Sequence, residues 1–164
     1  IDLGRDVETG ERIPWLVLGP TSDGILLLSK FIVHSMPFLE DGDAATWEES
    51  AVRSWLNGPF LERCFNPKEA EAMIPHPGLG DSVFCLSEAE LERHLHGEMG
   101  KAIRKAVDNE TNGLVGWWLR PMGGNTLSAP YMDEGGKASW TLAFAKHGVR
   151  PAWILRMKDR RSRI

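Results

Sequence analysis

The sequence predicts a single α+β domain, with strands towards both ends of the chain and helices between them. Three observations carry this. Two apolar runs, Ile13-Pro14-Trp15-Leu16-Val17-Leu18 and Ile25-Leu26-Leu27-Leu28-Ser29, flank the turn residues Thr21-Ser22-Asp23-Gly24. Three helix-start patterns follow, each a capping residue with Glu three positions on: Thr46/Glu49, Asn66/Glu69 and Ser87/Glu90. From Leu114 onward, short β-rich runs are punctuated by Gly123-Gly124, Gly135-Gly136 and His147-Gly148. Strands and helices segregated in this way describe α+β rather than alternating βαβ architecture. The 164 residues suffice for one large core, expected over about residues 12–155 of a domain spanning 1–164.

Taken in order, the loop Glu8-Thr9-Gly10-Glu11 leads into a first strand, with Pro14 suited to an edge or a strand start. The unbroken apolar run from Ile25 suits a second strand covered on both faces, and together the two form a hairpin. After the acidic loop Glu40-Asp41-Gly42-Asp43, the Thr46 box opens a helix. Trp47, Ala51 and Trp55, with Val52 and Leu56, share its inner face. Gly58-Pro59 is expected to stop it. The Asn66 box starts a second helix ending before Pro75, and His76–Gly80 is a loop. Ser82–Leu86 reads as a short strand, and the Ser87 box opens a helix through about Leu95. Lys101–Val107 reads as helical. Val115–Leu119, Thr126–Met132, Ala138–Phe144 and Val149–Arg156 read as closing strands.

Composition excludes more than it assigns. The 42% hydrophobic and 26% charged fractions are those of an ordinary globular domain. A formal net charge of −4 gives no case for nucleic acid. The basic stretch Arg156-Met157-Lys158-Asp159-Arg160-Arg161-Ser162-Arg163 reads as a solvated tail. No run approaches a membrane span, Ile25–Leu28 being four residues. Cys64 and Cys85 stand in no metal-ligand spacing and read as buried thiols, their pairing left open. The chain begins at Ile1, so the compartment stays open.

Seven Trp against one Tyr is the unusual feature. Trp15, Trp47 and Trp55 fall in regular core patterns. Gly116-Trp117-Trp118-Leu119-Arg120 is different, because adjacent strand residues point to opposite faces. Either that strand is covered on both sides or one indole lines a surface. At least one exposed face is expected among Trp117, Trp118, Trp140 and Trp153.

Several motifs together carry a resemblance. Thr46-Trp47-Glu48-x-Ser50-x-x-Arg53-x-Trp55-Leu56-Asn57 with Phe60 and Phe65, Asp81-x-Val83-Phe84-x-Leu86-Ser87-x-x-Glu90, and Trp117-Trp118-Leu119-Arg120 followed by Gly148-Val149-Arg150-Pro151-Ala152 stand in order along the chain. Pro14-Trp15-x-Val17-Leu18 and Leu26-Leu27-Leu28-Ser29-Lys30 fit as well. In these residues the chain resembles a widespread bacterial domain family of unknown function, one similar to the C-type-lectin-like fold of formylglycine-generating-type domains and bacterial surface binding proteins. The resemblance implies paired terminal strands in a mainly antiparallel sheet, flanking helices and a long irregular ligand-bearing segment. Pro121-Met122-Gly123-Gly124 departs from the Ser more usual after Arg120.

Arg53, Arg120 and Arg150 sit among apolar neighbours, where a guanidinium needs a partner. Glu48, Glu49, Asp81 and Asp133 are the candidate carboxylates. Structural pairing is expected for Glu48, Arg53 and Arg150. Trp117, Trp118, Arg120, Asp133 and Trp140 are the candidate ligand-binding set, an indole platform beside an anion- or sugar-facing arginine. No metal site is expected. His94 and His96, two apart on a helix, face different ways, and His34, His76 and His147 lack a spacing partner. Glu40-Asp41-Gly42-Asp43 lacks the full calcium-loop pattern, and the calcium motifs of sugar-binding lectins are absent. There is no nucleophile elbow, phosphate loop or dinucleotide fingerprint. No cysteine follows Cys85, so the late cysteine pair of formylglycine-generating enzymes is missing. No cofactor is expected. The leading expectation is a non-enzymatic module binding a glycan, peptide or protein partner. The alternatives are an enzyme using Glu48 or Asp133 near Arg120, or a purely structural domain; oligomeric state stays open.

Overall fold

A computed structural model describes residues 1–6, 9–108, 112–123 and 126–157. The expected tail from Lys158 onward, with Glu8 and Gly124 of the expected loops, lies outside the described residues. In chain order the strands begin with β1 (Asp2–Arg5), β2 (Arg12–Pro20), β3 (Gly24–Ser29), β4 (Phe31–Ile32) and β5 (His34–Pro37). Then come α1 (Ala51–Trp55), a π-helical turn (Leu56–Phe60), α2 (Leu61–Cys64), α3 (Pro67–Glu71), β6 (Met73–Ile74), α4 (Glu88–His94) and α5 (Gly97–Arg104). The chain closes with β7 (Ala106–Asp108), β8 (Leu114–Val115), β9 (Trp117–Trp118), β10 (Ser128–Met132), β11 (Ala138–Leu142), β12 (Lys146–Val149) and β13 (Ala152–Arg156).

The fold is mixed and sheet-rich. One sheet runs β1-β2-β3-β13-β6, a second β11-β10-β9-β12-β5, and a small third β4-β7-β8. The expected hairpin is present. Thr21 N–H donates to Gly24 O and the Thr21 hydroxyl accepts from Gly24 N–H, closing the turn between β2 and β3. β13 lies antiparallel on the other side of β3, from Ala152↔Leu28 to Arg156↔Gly24, so sequence from near both ends shares one sheet. Pro14 sits within β2 between two neighbours, just before the ladder with β3 begins at Trp15↔Ser29. The second sheet is antiparallel except where β9 and β12 run parallel at Trp117↔Gly148. A Cβ on Gly148 would stand 2.9 Å from Ile32 Cγ2 and 3.0 Å from the Gly116 carbonyl, so only glycine permits that approach. Among the described residues no helix is long and apolar enough to cross a membrane.

Several boundaries differ from expectation. Thr46 accepts Glu49 N–H at 3.2 Å, but α1 starts only at Ala51, with Ser50 as its cap. α5 ends at Arg104 and Ala106–Asp108 forms β7, where Lys101–Val107 read as helical. Val149–Arg156 is divided at Arg150-Pro151 between β12 and β13. Gly58-Pro59 does not end the first helix. The backbone widens into a π turn, with Leu61 N–H reaching Leu56 O, and continues into α2. The wider turn takes up a proline that lacks the N–H an α-helix would use. Ser82–Leu86 forms only an isolated bridge, Phe84↔Ala152. Its other backbone groups are taken elsewhere: Val83 N–H and C=O by the Asn57 amide, and Cys85 and Leu86 carbonyls by Arg120.

Candidate functional site

The three sequence motifs meet in the interior. Trp47 Nε1 donates to Asp81 Oδ2 at 2.8 Å, and Arg53 Nε lies 3.1 Å from both Asp81 oxygens. That hydrogen bond, partly offset by desolvation, raises the Arg53 pKa. Ser50 caps α1 by accepting from Arg53 N–H. Asn57 then stitches the π turn to Val83, donating to its carbonyl at 2.8 Å and accepting its N–H at 3.0 Å. The partner of Arg53 is therefore Asp81. Glu48, expected as a carboxylate partner, is exposed and offers Arg53 its backbone carbonyl at 3.3 Å.

Glu90 holds a second cluster. Its Oε1 accepts from Ser87 N–H, completing the predicted capping box, and lies 2.9 Å from Arg120 Nη1. Its Oε2 stands 2.8 Å from His76 Nε2. Burial by itself would push this carboxyl up. The His76 hydrogen bond, the Arg120 charge and the Ser87 N–H outweigh burial and hold it down to about 2. His76 Nδ1 accepts from the N–H groups of Gly78 and Leu79, so the ring proton sits on Nε2 and is donated to Glu90. Both nitrogens are thus engaged, Nε2 as donor and the Nδ1 lone pair as acceptor, which holds the ring in place. Arg120 also donates to Cys85 O at 2.7 Å. Burial, eased slightly by the Arg120 charge, pushes the Cys85 thiol up to about 12, which makes it inert as a nucleophile.

Trp117 and Trp118 are both fully buried. Of the two alternatives for the adjacent indoles, coverage on both faces is the one the structure adopts. Trp117 Nε1 donates to Arg104 O at the end of α5, and Trp118 Nε1 donates to Met36 O in β5. Arg150 stacks over Trp117 at 4.9 Å and donates to Ser29 O and Ile103 O at 2.7 and 2.6 Å. It is met by carbonyls and a ring rather than the expected carboxylate, an arrangement that spares a second buried charge. Burial lowers its pKa to about 9, still cationic at neutral pH. Trp153 is buried as well. Trp117, Trp118 and Arg120 are thus buried, and the expected platform is not brought together. Asp133 closes the β10–β11 turn by accepting from Gly135 and Lys137 N–H. It borders an open depression of about 370 Å³ with Tyr131 and His147, whose rings stack at 4.5 Å. Trp140 alone of the set is exposed, at 60%.

A more enclosed concavity lies elsewhere. A cleft of about 180 Å³ is walled by Val33, His34, Trp55, Pro59 and Phe60, with Cys64 and Ile13 also lining it and Asp6 and Arg63 as its charged groups. His34 on β5 stacks on Trp55 with ring centroids 4.6 Å apart, and Trp55 packs on Phe60 at 5.3 Å. The π turn builds this wall, because it carries Trp55 into contact with Pro59 and Phe60 instead of letting the helix end. Across Trp55 and Pro59 lies a more open depression of about 410 Å³ bordered by Met36, Glu40, Asp41, Glu49 and Ser54. Trp55 was expected in the core and is half-buried. The signal that could have marked it was the helix-breaking Gly58-Pro59 directly after it. Among the described residues no group of three or more His, Cys, Asp or Glu stands together to hold a metal ion.

A family model described as "Domain of unknown function (DUF6273)" matches residues 22–157. No curated protein and no solved structure matches the chain.

Proposed function

The chain belongs to the DUF6273 family of domains of unknown function, and within it we propose a non-enzymatic binding module that seats a partner on the Trp55–His34 cleft. The observation that carries this is the pair of depressions sharing Trp55 and Pro59 as a common ridge. A volume of about 180 Å³ holds one ring or one aliphatic side chain rather than a whole cofactor. Of glycan, peptide and protein partners, an extended peptide segment suits the geometry best, with an apolar side chain in the cleft and its neighbour across the ridge. Glu40, Asp41 and Glu49 favour a basic neighbour there. The C-type-lectin-like assignment belongs to the same proposal. It is supported by β13 lying beside β3 and by the short helices set between the strands. The enzymatic alternative gains nothing from Arg120, whose guanidinium is committed to Glu90 and Cys85.

The test uses two labelled peptides, one carrying Leu-Lys and one Leu-Glu in an otherwise neutral extended sequence, titrated against wild type, Trp55→Ala and His34→Ala. Binding of the Leu-Lys peptide at micromolar to low-millimolar affinity, lost in both variants while their circular dichroism is unchanged, is the expected result. Equal binding of both peptides by all three proteins, or chemical-shift changes that avoid Trp55 and His34, would sink the proposal.

A further inference from the structure

Among the described residues, strand β11 is the outermost strand of its sheet and pairs only with β10. Its register with β10 runs unbroken from Ser128↔Leu142 to Met132↔Ala138. Ala143 N–H donates to Leu127 O and Asp133 N–H to Lys137 O, which fixes the phase of the ladder at both ends. In an antiparallel pair, alternate residues turn their N–H and C=O groups to the neighbour. Residues 139 and 141 therefore face β10, and Ala138, Trp140 and Leu142 direct theirs outward. The same three side chains lie on one face, with Trp140 60% and Leu142 53% exposed.

Exposed edges are ordinarily blunted by charge, proline, a bulge or brevity. The other outer strands of the two large sheets carry such devices. β1 has Asp2, Arg5 and a shift in register, β5 ends on Pro37, and β6 is two residues long. β11, Ala-Ser-Trp-Thr-Leu, has none of them.

We infer that this edge is an interface with a second copy of the same chain, paired antiparallel about a two-fold axis at Trp140. The register follows from symmetry. Trp140 faces the partner's Trp140, and Ala138 faces the partner's Leu142; each pair exchanges two backbone hydrogen bonds, the Leu142 carbonyl accepting from Ala138 with its second lone pair because the first takes Ala145 N–H at 3.0 Å. The charges select this direction. Lys137 of each copy falls at opposite ends of the antiparallel ribbon, whereas a parallel pairing sets Lys137 against its own equivalent. The contact is a five-residue strand with two large apolar side chains per copy, below the roughly 800 Å² per partner of a standard stable interface. The dimer is therefore weak and concentration-dependent.

Sedimentation equilibrium of the wild-type chain from about 10 μM to about 1 mM, the range in which so small an interface should assemble, tests this beside two variants. Trp140→Lys places a charge on the edge. Leu142→Pro deletes an outward N–H and leaves the ladder with β10 intact. The expected result is a mass rising from 18.3 kDa towards twice that value in wild type, with both variants monomeric and at least one keeping the wild-type circular dichroism and melting curve. Amide exchange at 138, 140 and 142 should slow with concentration in wild type only. A wild-type chain that stays at 18.3 kDa throughout overturns the inference. So does a dimer that persists in a folded Leu142→Pro or Trp140→Lys variant.

Discussion

Replacing Glu90 by Gln separates the charge of the central cluster from its shape. The carboxyl drops from an ordinary value of 4.5 to about 2 on folding. A group whose pKa is depressed in the folded state stabilises it fully above the unfolded value, and that contribution is lost as pH falls through the folded value. At about 1.36 kcal/mol per unit, the ion pair and hydrogen bonds of Glu90 therefore contribute roughly 3 kcal/mol at pH 7. By the same linkage most of that contribution is lost between pH 4 and pH 2. The side chain is 18% exposed, so solvent screening is modest. Gln mimics the protonated acid and leaves Arg120 buried without its counter-charge. Urea unfolding of wild type and Glu90→Gln should show a gap of about 3 kcal/mol at neutral pH that closes as pH approaches 2. A gap that stays constant with pH, or one below about 0.5 kcal/mol at pH 7, would refute the assignment of Glu90 as the charged centre of this cluster.

Two further outcomes follow from the same interior. Asn57→Ala leaves the buried N–H and C=O of Val83 without their side-chain partner, and should lower stability by about 2–4 kcal/mol in urea unfolding; a loss under about 0.5 kcal/mol would mean the stitch is idle. For His76, long-range proton–nitrogen correlation spectra at neutral pH should show Nε2 protonated and Nδ1 as the acceptor, as its contacts with Gly78, Leu79 and Glu90 require. A proton on Nδ1 would contradict the geometry.

What was legible in the sequence was local. The capping boxes at Asn66/Glu69 and Ser87/Glu90 are closed by residues three apart, and both are present in the structure. The β2–β3 hairpin was legible for the same reason, since its turn residues make its turn contacts. The π turn was not. Its stability depends on Asn57 reaching Val83, 26 residues away, so Gly58-Pro59 looked like a stop when read alone. Arg150 was equally opaque, because its acceptors Ser29 and Ile103 lie 121 and 47 residues off and are backbone carbonyls that any residue supplies. For Trp117 and Trp118, period-two alternation correctly gave opposite faces but could not say that both faces are covered. That coverage moves the candidate site away from Trp117-Trp118 and onto Trp55, where the helix widens into the π turn.

Trp47, Trp117, Trp118 and Trp153 are architecture, while Trp55 and Trp140 meet solvent. The most direct measurement is relaxation enhancement of the seven tryptophan indole N–H signals by a neutral gadolinium chelate, assigned with single Trp→Phe variants. The strongest broadening is expected at Trp140, with a clear effect at Trp55 and protection at Trp47, Trp117, Trp118 and Trp153. Broadening of Trp117 or Trp118 ahead of Trp55 would contradict that expectation, and would return the binding face to the β9 strand.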